Sequence, residues 1–312
     1  MKKEKEIVSV CVLMSTYNGE RYLERQIETI LNQEECRIIL LVRDDGSSDK
    51  TLDILKKYQE QGRLSYYSGK NVGPTNSFLD LLDNAPEADY YAFSDQDDIW
   101  LPDKMSRAIK KLKETKLKGQ KGLYFSNLTP VDEKEDIIKE FLLPEVLPID
   151  YYTLMIRCGW MFGCTEVFTK ELKEFVKKQY RPQKIVMHDL WMGLLASTYG
   201  TIVYDSTSKI LYSQHQNNVV GAQLNGIQRW KKRLALLVKG NRVPIDCRAK
   251  AMLRIFRDNP DVSKELQEQT WIVANYNKSL KTRIGFLKYA QLFDEKAKRA
   301  LLRAVLIVLG KE

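Results

Sequence analysis

Apolar residues in the first half of the chain come as short unbroken runs separated by helical stripes. Ile7-Val8-Ser9-Val10-Cys11-Val12-Leu13-Met14 is one run and Arg37-Ile38-Ile39-Leu40-Leu41-Val42 is another. Such runs fit strands buried on both faces. Between them Tyr22, Leu23, Ile27, Ile30 and Leu31 recur at helical spacing. Leu52, Ile54, Leu55 and Tyr58 mark a second helix that Gly62 suits as an end, and Leu64-Ser65-Tyr66-Tyr67 reads as a third strand. Pro74 suits the first turn of a helix holding Phe78, Leu79 and Leu82. Asp89-Tyr90-Tyr91-Ala92-Phe93-Ser94 is a fourth strand, followed by a helix over Lys104–Lys113 and a strand over Leu123–Ser126. This alternation predicts an α/β fold, a mostly parallel central sheet with helices on both faces.

The pattern then changes. Residues 128–150 are irregular and polar, with Pro130, Pro144 and Pro148. A helix is expected near Tyr151–Arg157, a strand near Trp160–Cys164, a helix near Lys170–Lys178, another opening at His188-Asp189, and strands at Thr201–Tyr204 and Lys209–Tyr212. From Gly226 the chain reads as helical and basic, without strands. The expected division is therefore an α/β domain over residues 1–225 and a basic helical region over 226–312.

Charge sharpens that division. The net charge of +9 splits into −3 over residues 1–225 and +12 over 226–312. A basic terminal region points to an anionic membrane surface, nucleic acid or another protein, or is simply a solvated helical face. Ile227, Trp230, Leu234, Leu237 and Val238 share one helical face, with Arg229, Lys231, Lys232 and Arg233 near its start. Such a helix suits an anionic membrane surface, or packs on the α/β domain or on a second copy. The five cysteines are scattered and include no C-x-x-C pair, so they read as reduced thiols of a cytosolic protein without a zinc site. Neither a signal-peptide core nor an apolar stretch long enough to cross a bilayer is expected. The chain reads as cytoplasmic and peripheral at the inner face of the membrane.

In open α/β sheets ligands bind beyond the carboxyl ends of the strands. Thr16-Tyr17-Asn18, Asp44-Asp45 and Asp95-Gln96-Asp97-Asp98 all fall there. Three like charges on Asp95, Asp97 and Asp98 repel, and a cation relieves the cost. A hard divalent ion with oxygen ligands fits, because no Cys or His lies nearby in the sequence to compete. The plainer alternative is an acidic turn capping the next helix.

Thr16-Tyr17-Asn18-Gly19, Asp44-Asp45-Gly46-Ser47-Ser48-Asp49, Asn71-Val72-Gly73, Ser94-Asp95-Gln96-Asp97-Asp98-Ile99-Trp100 and His188-Asp189-Leu190-Trp191 occur in this order. Together they resemble the family 2 glycosyltransferases of GT-A fold. The string Ser94–Trp100, with Gln214-His215-Gln216-Asn217-Asn218-Val219-Val220-Gly221, is similar to bacterial cell-wall polysaccharide rhamnosyltransferases. The resemblance implies a nucleotide-sugar donor, favouring dTDP-β-L-rhamnose over a UDP-hexose, a divalent ion (Mn2+ or Mg2+), and inverting transfer to a polysaccharide or a polyprenyl-diphosphate-linked saccharide. A divalent ion neutralises the charge that develops on a diphosphate leaving group.

By the same resemblance Asp97 is the first metal ligand, with Asp95, Asp98 and His215 as further ligands. Thr16, Tyr17, Asn18, Asp44, Asp45, Asn71, Asp95 and Gln96 become nucleotide-sugar contacts. One of Asp44 and Asp45 would accept the ring N–H of a pyrimidine, the other capping the turn. Asp189 becomes the general base that takes the acceptor hydroxyl proton. Its place at a helix start depresses a carboxylate pKa and weakens a base, so burial would have to oppose that. His188 either orients Asp189 or is structural, and Trp160 and Trp191 stack on sugars or wall the cleft. Two rivals differ in class. A nucleic-acid binder explains the basic tail but leaves the carboxylates unexplained. A dinucleotide oxidoreductase shares the sheet, yet Ser15-Thr16-Tyr17-Asn18-Gly19 lacks the glycine-rich turn.

Overall fold

The computed structural model of the chain describes residues 7–157, 161–182, 187–214 and 244–291. These fall into two compact units. Residues 7–149, 161–177 and 187–214 form one unit, and residues 150–157, 178–182 and 244–291 the other.

The first unit is built on a sheet of β1 (Ser9–Thr16), β2 (Arg37–Asp44), β3 (Ser65–Ser68), β4 (Tyr90–Ser94), β5 (Ile99–Trp100), β6 (Gly122–Val131), β7 (Val167–Thr169) and β8 (Thr201–Ser213). Their spatial order is β3-β2-β1-β4-β7-β6-β8-β5. β1 runs parallel to β2 and β4, β2 to β3, and β6 to β8. The sheet is mixed because β7 is antiparallel to both β4 and β6, and β5 is antiparallel to β8. The crossovers are α1 (Leu23–Leu31), α2 (Thr51–Glu60) and α3 (Pro74–Asn84), with α4 (Lys104–Glu114), α6 (Lys170–Lys178) and α7 (His188–Tyr199) following. α5 (Tyr151–Arg157), α8 (Ile245–Asp258), α9 (Lys264–Asn275) and α10 (Leu280–Gln291) belong to the second unit, where Tyr151 Oη meets Thr270 Oγ1 at 3.0 Å.

The apolar runs become central strands for the reason expected. Val10, Cys11, Val12, Leu13 and Met14 are all fully buried, so both faces of β1 are covered. Pro74 opens α3, and Gly73 before it takes φ +79°, a conformation side chains rarely adopt. Three local expectations are corrected. The two short strands at Thr201–Tyr204 and Lys209–Tyr212 are one continuous β8, whose polar middle is paid for by Arg107 bonding Asp205 and Thr207. β6 continues to Val131, five residues past the expected end at Ser126 and into the stretch expected to be irregular, with register shifts against β8 accommodating the polar residues. Among the described part of Trp160–Cys164 no strand forms; Gly163–Thr165 is a 3-10 turn, and the strand comes later as β7.

Register positions the site. Thr16 pairs with Asp44 across β1 and β2, while Met14 pairs with Ser94 across β1 and β4. The acidic stretch after Ser94 therefore emerges at the same sheet edge as Thr16 and Asp44.

Candidate functional site

Beyond the ends of β1 and β2 the aspartates organise backbone. Asp44 is fully buried; its Oδ2 accepts the Gly46 and Ser47 amides at 3.1 Å each, and its Oδ1 accepts the Thr16 and Ser47 hydroxyls. Gly46 takes φ +85° in this turn. Asp45 accepts the amides of Val72 and Gly73 at 2.9 Å each and is paired with the buried Arg43 at 2.5 Å. Arg43 also bonds Asp80, Ser77 and the Lys70 carbonyl. Sequence reasoning overlooked Arg43, although a cation at the end of an otherwise apolar strand was a visible signal. Tyr17 and Asn71 are exposed at this edge. Asn18, at φ 49°, accepts the Ser48 amide through Oδ1 at 2.8 Å. Gln96 clamps the Tyr17 peptide, accepting its N–H at 2.9 Å and donating to its carbonyl at 3.1 Å.

Asp95 and Asp97 are half-buried and Asp98 is fully buried. Asp98 Oδ1 accepts the Ser213 amide at 3.2 Å, whereas Oδ2 has no hydrogen-bond partner among the described residues. Burial, and then the charges of Asp97 and Asp189, push Asp95 up to about 7. Burial and the neighbouring Asp97 and Asp95 push Asp98 well up too. An orphaned carboxylate oxygen amid mutually repelling acids is a donor set that fits a divalent cation. One premise from the sequence is corrected. A cysteine does stand near: ligand atoms of Asp95, Asp98 and Cys164 lie within 4.8 Å of one another.

Asp189 sits in the first turn of α7 and is 7% exposed. Its Oδ2 accepts the Gly163 amide at 3.2 Å and its Oδ1 the Leu190 amide at 2.6 Å. Those amides favour the charged form, but burial outweighs them and the carboxyl is pushed up to about 6. The helix-start effect is thus the weaker one here. His188 makes no hydrogen bond through either ring nitrogen among the described residues. It stacks on Phe78 at 4.0 Å, meets Phe93 edge-on at 4.8 Å, and is held neutral by burial, down to about 3. Glu166 is fully buried, with neither carboxyl oxygen hydrogen-bonded among the described residues, and burial and Asp189 raise its pKa well above the usual range. A lone acid before Val167-Phe168 was the signal for it. Trp191 is buried in α7. His215, Trp160 and the basic helix over 227–238 lie outside the described residues.

The Asp95 carboxyl senses both Asp97 and Asp189, so acids almost a hundred positions apart in sequence converge. The sequence profile of Glycosyl transferase family 2 matches residues 11–168, which carry the site positions from Thr16 to Glu166 but not those of α7 or Ser213. The chain belongs to this family. The glycosyltransferase is 33% identical over 238 residues to the dTDP-rhamnosyl transferase RfbG of Shigella flexneri, an alignment spanning 70% of this chain and 77% of that one. It is 28% identical over 161 residues to the UDP-Glc:alpha-D-GlcNAc-diphosphoundecaprenol beta-1,3-glucosyltransferase WfgD of Escherichia coli, covering 51% of this chain and 58% of that relative. In fold it resembles S. aureus TarS 1–349, with a TM-score of 0.57 at 15% identity over 97% of this chain and 80% of that one. The GT-A architecture of the glycosyltransferase therefore agrees with the expectation from its ordered motifs, and its largely parallel α/β sheet with that from its strand–helix alternation.

Proposed function

We propose that the glycosyltransferase transfers L-rhamnose, with inversion, from dTDP-β-L-rhamnose to a hydroxyl of a lipid-linked polysaccharide acceptor. The donor assignment is supported by the similarity to a dTDP-rhamnosyl transferase over 70% of the chain. The observation that supports the mechanism is the buried Asp189 carboxyl, pushed up to about 6 by burial, whose charge in turn helps to raise Asp95. A carboxyl near 6 is mostly ionised at neutral pH and still basic enough to accept a proton, which suits a general base.

In this reading the nucleotide lies over the edge formed by Thr16, Tyr17, Asn18, Asp44, Asp45 and Asn71. Asp44 and Asp45 hold the two turns beneath it in shape, with Gln96 fixing the Tyr17 peptide. Asp97, Asp95 and Asp98 would hold a divalent cation, and His215 is a further ligand proposed from the sequence. When bound, that ion neutralises charge developing on the departing diphosphate. Asp189 accepts the acceptor proton as the new bond forms at the anomeric carbon. The +12 region over 226–312 provides the contact with an anionic membrane surface on which a lipid-linked acceptor would be met.

A UDP-hexose donor is the second reading, favoured by the similarity to a UDP-glucose-dependent relative. A transfer assay with purified dTDP-rhamnose and UDP-glucose, each with Mn2+, Mg2+ or chelator, separates the two. Release of dTDP with rhamnosyl product is expected. Turnover of UDP-glucose alone would replace the donor assignment, and full turnover in chelator would remove the cation.

A further inference from the structure

We propose that Cys164 is a further ligand of the cation site, so that a thiolate joins the carboxylates on the ion and a thiophilic divalent ion is preferred over Mg2+. This rests on the reading of Asp95–Asp98 as a metal site and adds to it a soft donor from a distant part of the chain. The geometry is the basis. A carboxylate oxygen from each of Asp95 and Asp98 and the Cys164 sulfur lie within 4.8 Å of one another. Donor atoms on one ion stand roughly 3.5 Å apart, given bonds of about 2.0–2.3 Å, so small side-chain adjustments close the set.

Independent of that spacing, Asp98 is fully buried and its Oδ2 receives no hydrogen bond among the described residues. An unpaired buried carboxylate oxygen is costly and is a reason to place a ligand there. Lys104 is the charged group behind the cluster. Its Nζ lies over the Trp100 ring at 3.5 Å, has no hydrogen-bond partner among the described residues, and forms no ion pair with Asp98 within 4.0 Å. Its ammonium therefore does not neutralise the carboxylate directly. On coordination the thiol proton leaves to solvent, the sulfur lone pair forms the metal bond, and no electron changes hands. Thiolate softness then shifts preference toward Co2+, Zn2+ or Cd2+.

Titrating the full-length protein with Co2+ tests this. A thiolate-to-cobalt charge-transfer band is expected, saturating at one equivalent, together with a rise in Tm and protection of the Cys164-containing peptide from alkylation read by mass spectrometry. In Cys164→Ala the band disappears while Co2+ still raises Tm, and a hundredfold excess of Mg2+ displaces Co2+ only from the variant. A rise in wild-type Tm without the band, or with Cys164 still alkylated, overturns the thiolate and leaves the carboxylate site standing. A band that survives in Cys164→Ala belongs to another cysteine and also overturns it. If Co2+ gives neither band nor stabilisation, with or without dTDP, the metal reading itself fails. The alkylation readout needs no variant, so misfolding of Cys164→Ala does not leave the question open.

Discussion

At the scale of single residues, environment decides chemistry. Asp189 and Asp44 are both buried aspartates, but Asp44 accepts four hydrogen bonds from its own turn and β1, whereas Asp189 accepts two amides. Asp189→Asn should lower transfer by about 10²–10⁴-fold, the usual range for losing a general base, while keeping nucleotide binding. In the wild type the rate should rise with pH through about 6 and level off, because the base acts when deprotonated. A flat profile would sink that role. His188 gives a different pH signature. Its folded pKa is lowered from 6.5 to about 3, so the unfolded chain binds the extra proton in that interval. Its contribution to stability is full above 6.5 and is lost as pH falls toward 3, at about 1.4 kcal/mol per unit. The stability difference between wild type and His188→Phe, measured by urea unfolding, should therefore move against the wild type on acidification.

At the scale of elements, the turns between strands and helices carry the strain and the function. Gly163 shows why one residue in a short 3-10 turn matters: a Cβ there would stand 2.5 Å from His188 Nε2. That ring is wedged between Phe78 and Phe93 and has nowhere to retreat. Gly163→Ala should cost about 1–3 kcal/mol, typical of overpacking, and should also disturb the amide that Asp189 accepts. Circular dichroism melts and transfer rates measured on the same preparation test both effects. Arg43 ties the end of β2 to α3 through Asp80 and Ser77, and to the turn after β3 through Asp45 and Lys70. Arg43→Met leaves Asp45 charged and buried without its cation, which should cost about 3–5 kcal/mol. Chemical denaturation showing less than about 1 kcal/mol would refute the hub. Strand identity was legible wherever an apolar run was uninterrupted, as in β1. β8 was not, because its polar middle is satisfied by Arg107 from α4, a partner that no local pattern names.

At the scale of the molecule, the sheet edge collects side chains that the chain keeps far apart. Ligand binding there should report on folding as a whole. A nucleoside diphosphate held at a hundred times its Kd stabilises by about 2.7 kcal/mol. dTDP is expected to raise Tm only with a divalent cation present, and Asp97→Ala should abolish the effect. Equal stabilisation in chelator would show that the nucleotide does not need the acids. Among the described residues no helix is long and apolar enough to cross a membrane.

The sequence alone determined the alternation of strands and helices through β4, the family, and the acids at the strand ends, because apolar periodicity and ordered motifs are local properties written in neighbouring positions. Only the tertiary structure decided that Asp189 becomes more basic rather than less, that Cys164 joins Asp95 and Asp98, that Glu166 is sealed beside Asp189, and that Arg43 underpins the turn held by Asp45. Burial and through-space charge depend on which distant segments the sheet brings to one edge, and no residue's immediate neighbours along the chain specify that.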